Sequence, residues 1–356
     1  MLPDSNGNGW IYNWFCMDHV GFHGNNPRRR DSGHHKVFDR YCRMTAEQER
    51  GDFIGFHHHP ASFSGNYNES GTAFWGSDNL NQILCRKIID RNWFPVAFRP
   101  GFHTERPDSN WFLEQWIPFD YGNQAVKMEE TEQVDLSAGG FGDWRRAPLE
   151  WYPYHPAHDD YQRKGNCKRW ITRCLNMYAR IRQITLEDVE DAFCAAQAGE
   201  NVILSFTDHD YKDMRYEINV VRDLIACMAQ KYPEIPFEYA DAVSAMRKCL
   251  GLTYEDLNLE MELQDSAGNP KLLVKTDTAI FGAQPFLAIK TKAGAYFWDN
   301  FDFVQPKKMW SYTFDVNTVK LEDVETIGIA ANNGYGICQV ILFDQNRKIH
   351  KYKYNV

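Results

Sequence analysis

No two of the nine cysteines in this chain stand in a Cys-x-x-Cys spacing. An odd count without that spacing excludes a zinc knuckle and a closed disulfide framework, leaving free and mostly buried thiols of a reducing compartment as the expectation. Long apolar runs are missing too: none approaches the ~20 residues that a bilayer-spanning helix needs, so no membrane partner is expected. Residues 1–9 carry neither a charged n-region nor an apolar h-region, so no secretory signal is visible and a cytoplasmic location is expected. A basic excess is lacking, since the formal net charge is -9. The one basic run, Arg28-Arg29-Arg30, is followed by Asp31 and suits a loop holding an anion or a carboxylate, not a nucleic-acid footprint. Beyond residue 255 histidine is reduced to His350, so no metal chemistry is expected there.

What the chain does have is aromatic residues, 15% of the total, with nine of its eleven tryptophans at or before Trp170. Core packing accounts for most of them, and a surface that stacks on the apolar faces of sugars accounts for several more. At 356 residues, two domains are expected. Residues 10–18, 94–98, 117–119, 201–206 and 236–239 read as strands, and helical spacing marks 77–91, 109–116, 215–232 and 240–250. Thr185 with Asp188 forms a capping-box pattern ahead of Leu186, and Gly199 is a natural stop. Past residue 255 short strands alternate with turn signals, the pattern of an all-β sandwich. The division expected is a β/α domain over 1–252 and a β-sandwich accessory domain over 253–356.

The most unusual stretch is Phe53-Ile-Gly-Phe-His57-His58-His59-Pro60, a short apolar strand ending in three imidazoles. Period-2 geometry sends His57 and His59 to one side and His58 to the other. Imidazole is a common metal ligand, so a metal or catalytic site is expected at that strand end. Asp18-His19, Arg99, Asp120 and Asp208-His209-Asp210 also follow predicted strands. In a β/α barrel the C-terminal ends of the strands are where chemistry is done.

In their order along residues 8–250 these clusters resemble the polysaccharide deacetylase superfamily, the NodB-homology domain of carbohydrate esterase family 4. Cys16-Met17-Asp18-His19 takes the place of the family's Asp-Asp strand end, and Gly55-Phe56-His57 that of its Gly-Asn-His. Phe98-Arg99-Pro100-Gly101 is similar to its Arg-Pro-Pro, and Ile203 to Phe206 leading to His209-Asp210 is similar to its terminal His-Asp strand. Two positions depart from the pattern. His19 stands where the family has a metal-binding Asp, and Ala61 where it has a second His. The resemblance implies a distorted (β/α)7 barrel and removal of an acetyl group from an N- or O-acetylated carbohydrate with the help of a divalent metal, zinc being the first choice. His57 and His59 would hold the ion, with His19 or Asp18 as third ligand. Asp18 would take a proton from water, Arg99 would orient Asp18, and His209 would protonate the leaving amine, its tautomer set by Asp210 or Asp208. Trp151 and Tyr154 would stack on the sugar, and His103 would line the substrate pocket.

Two other functions fit the same pattern. A glycoside hydrolase would use Asp18 with Asp120 or Asp208 as its carboxylate pair. A catalytically degenerate barrel would bind glycan without turning it over.

Overall fold

A computed structural model of the chain describes residues 2–19, 34–48, 50–60, 73–75, 79–127, 142–178, 182–264, 268–344, 346 and 348–354. Arg28–Arg30, Ala61, Ser77 and the side chain of His19 lie outside the described residues. The chain divides into two compact units. The first comprises Met1–Thr72, Ala97–Asn110 and Phe119–Leu252, and the second Ala73–Val96, Trp111–Pro118 and Thr253–Val356.

The first unit is built on a six-stranded parallel sheet that curls into a half-barrel, its strands β1 (Asn13–His19), β2 (Phe53–His59), β3 (Ala97–Pro100), β4 (Phe119–Asn123), β5 (Trp170–Asn176) and β6 (Ser205–Thr207) running in sequence order. Every neighbouring pair is parallel, so all six C-terminal ends lie along one edge. Helix α1 (His34–Gln48) packs on β1 and β2 and buries Phe38. Phe38, Tyr41 and Cys42 fall on one helical stripe, which its many charged neighbours obscure. The stretch 236–239, expected as the last strand of the first domain, forms none. Pro236 has no N–H to give to a ladder, and Phe237 instead pairs with Ser5, exchanging backbone N–H and C=O with its backbone and hydroxyl.

Strand β5 was not legible in the sequence because Thr172 and Arg173 break its apolar run. Both are buried. Arg173 is tolerated there because its guanidinium donates to the carbonyls of Ala125 and Leu149 and to the Asp188 carboxylate. Asp188 belongs to α4 (Leu186–Gln197), where it also completes the capping box with Thr185. Helices α5 (Arg215–Lys231) and α6 (Ala242–Leu250) follow β6. Gly251 closes α6 at φ +61°, a left-handed conformation that favours glycine. One apolar cluster joins Val189, Phe193, Ile218, Val221 and Ile225 with Leu175 beneath them.

The second unit has two antiparallel sheets. Strands β10 (Tyr296–Asp299), β9 (Phe286–Thr291), β13 (Val324–Asn332), β14 (Cys338–Phe343) and β15 (Ile349–Tyr354) form one, and β11 (Asp302–Gln305), β12 (Met309–Thr313), β8 (Lys271–Thr276) and β7 (Leu259–Gln264) the other. Alternate residues of both, among them Leu259, Val274, Trp310, Leu287, Ile329 and Ile341, share one core. Helix α2 (Asn79–Arg91), which follows β2 in sequence, packs on β9, β10 and β13 of this unit. A Cβ at Gly328 would lie 2.5 Å from the Ile88 side chain, so glycine lets the helix seat closely. Helix α3 (Pro107–Trp116) precedes β4. Among the described residues no helix is long and apolar enough to cross a membrane.

Candidate active site at the ends of the parallel strands

Alternation along β2 brings His57 and His59 together and turns His58 away. The Nε2 atoms of His57 and His59 are 2.9 Å apart, with their rings crossed at 72°. The His58 ring instead stacks beside Phe56 at an interplanar angle of 14°. His57 Nδ1 lies 2.8 Å from the carbonyl of Arg99. A carbonyl only accepts, so Nδ1 carries the proton and donates it, and a neutral His57 presents a bare Nε2 lone pair towards His59. Two facing lone pairs repel, so the gap takes either a proton on His59 Nε2 or a cation. Burial first, then the neighbouring His59 and Arg99 charges, hold His57 well below the usual histidine range, and His209 adds to the depression. His57 is therefore kept neutral, the form in which imidazole ligates a metal.

Arg99 lies in β3 with its guanidinium buried. Its Nη2 donates to His103 Nδ1 at 2.8 Å. A guanidinium has no acceptor, so His103 keeps Nδ1 unprotonated and carries its proton on Nε2. His103 belongs to the turn Gly101–His103, in which Phe102 and His103 hold φ of 52° and 55°. Two consecutive non-glycine residues in the left-handed region cost about 1–3 kcal/mol each and persist only where their surroundings over-determine them. Phe102 meets the His59 ring edge-on with centroids 4.5 Å apart. Gly101 is forced by proximity, since a Cβ there would lie 2.4 Å from the His58 carbonyl and 2.6 Å from the His59 ring.

The other expected site residues are placed as follows. Asp18 is buried near the end of β1 in register with His58, on the strand face opposite the one shared by His57 and His59. His19 closes β1 in register with His59. His209 follows β6 and is half-buried, within electrostatic reach of His57. Asp210 accepts a hydrogen bond from the Tyr41 hydroxyl, and Asp208 pairs with Lys212 at 3.3 Å while accepting the His209 backbone N–H. The carboxylate oxygens expected to set the His209 tautomer are thus engaged by Tyr41 and Lys212.

Trp151 and Tyr154 correct the expectation of a sugar platform. They are 2% and 4% exposed. Arg173 covers the Trp151 ring at 4.3 Å and the Tyr154 hydroxyl donates to the Tyr161 carbonyl. A pyranose needs an open ring face, and neither residue has one. Asp120 is also corrected: it is the second residue of β4, not a strand-end carboxylate.

Sequence reasoning missed the buried ion cluster around Asp120. Arg169, fully buried, spends all five N–H donors on it. Nη1 reaches Asp120 at 2.7 Å and Glu105 at 3.2 Å, Nη2 reaches Glu105 at 2.5 Å and Asn110 at 2.6 Å, and Nε reaches Asn110 at 3.0 Å. No sequence signal links positions 105, 110 and 169, because only the fold brings them together. Burial and then the Glu105 charge push the Asp120 carboxyl well above the usual carboxylate range, against the pull of Arg169. A raised folded-state pKa gives stability that is fully present below the unfolded value of about 3.9 and is lost as pH rises through the folded value. Asp120→Asn cannot ionise, so its stability relative to the parent protein, read by urea unfolding, is expected to climb as pH rises above the unfolded value of about 3.9. A constant difference over that range would contradict the assignment.

A scan against protein-family models finds no match to this chain, and a search of curated proteins likewise finds none.

Proposed function

We propose that the chain is a metal-dependent hydrolase that removes an acetyl group from an N- or O-acetylated sugar, a deacetylase of the polysaccharide deacetylase type. The observation that carries this reading is the His57–His59 pair: two Nε2 atoms 2.9 Å apart, with His57 locked through Nδ1–H on a backbone carbonyl. That second hydrogen bond is the one by which proteins fix a ligating imidazole. The donor set fits a divalent ion, because two imidazole nitrogens 2.9 Å apart, one of them held neutral, could both be reached by a single ion. His57 and His59 would hold zinc, with His19, in register with His59, completing three protein ligands. When bound, the ion polarises the acetyl carbonyl and makes a water acidic enough to deprotonate near neutral pH.

The remaining roles fall to the chain's own groups. Arg99 supplies buried positive charge beside the imidazoles and holds His103 as a neutral Nε2–H donor. His209, half-buried and near His57, returns a proton to the departing amine or alcohol. On this reading the six parallel strands belong to a distorted (β/α)7 barrel with residues 236–239 at the seventh position, and 253–356 form a β-sandwich accessory domain. The glycosidase alternative is less favoured, since Asp120 is enclosed by Arg169 and Asp208 is held by Lys212.

Acetate release from N-acetylated chitooligosaccharides and O-acetylated xylan tests the proposal. Release is expected in the presence of zinc, to be lost with a chelator and restored by adding zinc back. No acetate from either substrate with zinc restored would refute it.

A further inference from the structure

We propose that Trp144 is a positioning residue for the imidazole pair, acting through the strained turn at the end of β3. This rests on the reading of His57 and His59 as the working site. The Trp144 indole N–H donates to the His103 carbonyl at 2.8 Å, and the backbone N–H of Gly142 donates to the Phe102 carbonyl at 3.3 Å. Both acceptors are the carbonyls of the two residues held at positive φ. Trp144 is itself immobilised, packed edge-on against Tyr161 and clustered with Tyr154, Ile171 and Ala125. Gly142 cannot carry a side chain, since a Cβ there would lie 1.8 Å from the His103 carbonyl oxygen. A packed aromatic cluster thus grips the turn.

The turn transmits that grip in two directions. Phe102 abuts the His59 ring. His103 accepts from Arg99, whose own carbonyl receives the Nδ1–H of His57. If the turn relaxed to negative φ, both side chains would leave these positions, His59 losing its lateral support and His103 its fixed tautomer. Trp144 thus acts on the imidazole pair through residues 102 and 103.

The test compares the full-length parent with Trp144→Phe, which keeps an aromatic ring but has no N–H to donate. Imidazole tautomers are read by long-range proton–nitrogen NMR in metal-free protein, and zinc affinity by competition with a chromophoric chelator. In Trp144→Phe, His103 is expected to pass from a single Nε2–H form to averaged tautomers, and zinc binding to weaken about 10–100-fold, the range for lost outer-shell support. In a Phe102→Gly background position 102 carries no left-handed penalty and its ring no longer bears on His59, leaving only His103 strained, so adding Trp144→Phe is expected to change zinc affinity less than about threefold. An unchanged His103 tautomer in Trp144→Phe overturns the proposal. So does an equal loss of affinity in both backgrounds, which marks Trp144 as a general packing residue. Should Trp144→Phe alone not fold, the comparison of Phe102→Gly with Phe102→Gly/Trp144→Phe decides, and a large further loss there overturns it. Should the parent bind no zinc, the metal reading fails while the tautomer measurement still decides the role of Trp144.

Discussion

Arg169→Ala is expected to cost about 3–5 kcal/mol of stability, the range for breaking a buried ion pair by removing one partner. The size follows from what remains behind. Glu105 and Asp120 would face each other out of water with no cation between them, and Asn110 would lose two donors. Arg169→Lys keeps the charge but brings three donors on a different geometry in place of five, so it too is expected to destabilise, by less. Replacing the whole cluster behaves differently. Arg169→Met with Glu105→Met and Asp120→Leu removes the unpaired charges along with their partner and is expected to cost less than Arg169→Ala alone. Chemical unfolding of the three variants checks this. Equal costs for Arg169→Ala and the triple variant would show that packing volume, not charge compensation, is what position 169 supplies. The cluster also bears on the site, because Glu105 lies two residues after the strained turn and Asp120 lies on β4, the strand that pairs with β3.

His57→Ala and His59→Ala are expected to abolish zinc binding and to lower acetate release by at least about 100-fold, more than loss of a mere outer-shell partner would. The control is His58→Gln. That side chain sits on the other strand face beside Phe56, so its replacement is expected to leave zinc stoichiometry intact and to act on stability alone. Metal analysis of the three purified variants reads this asymmetry without reference to any substrate. Zinc loss in His58→Gln equal to that in His57→Ala would place the ligands wrongly, and retained zinc in both His57→Ala and His59→Ala would remove this strand from the metal site altogether.

Much of this was legible along the chain because it rests on local rules. A strand places alternate residues on opposite faces, so the pairing of His57 with His59 and the separation of His58 follow from their order alone. Thr185 and Asp188 announce a helix start by their spacing, and Gly251 announces a stop by its freedom at positive φ. Long, regularly patterned helices such as α5 are equally plain. Where a residue's partner is distant in sequence, the same rules mislead. Trp151 and Tyr154 carry large flat rings suited to a sugar, but burial is a property of what covers them, and Arg173 and Tyr161 cover them from other elements. Strand β5 looks polar because the charge on Arg173 is met by Asp188, 15 residues later. Helix α2 has an apolar stripe that fits any sheet, and nothing in its residues says that it packs on β9, β10 and β13 rather than on the strands beside it in sequence.

The sequence by itself determined five of the six strands of the first unit's sheet, the short strands of the second, and the delivery of imidazoles to a strand end, all consequences of periodicity within a few residues. Tertiary structure alone decided the chemistry of those imidazoles. It set the carbonyl of Arg99 against His57 and the guanidinium of Arg99 against His103, which assigns a tautomer to each ring. It also closed the glycine-edged turn over His59 and buried Arg169 between two carboxylates. The reason is the same in each case: proton position and charge depend on what lies within about 3 Å in space, and those neighbours come from segments tens of residues apart.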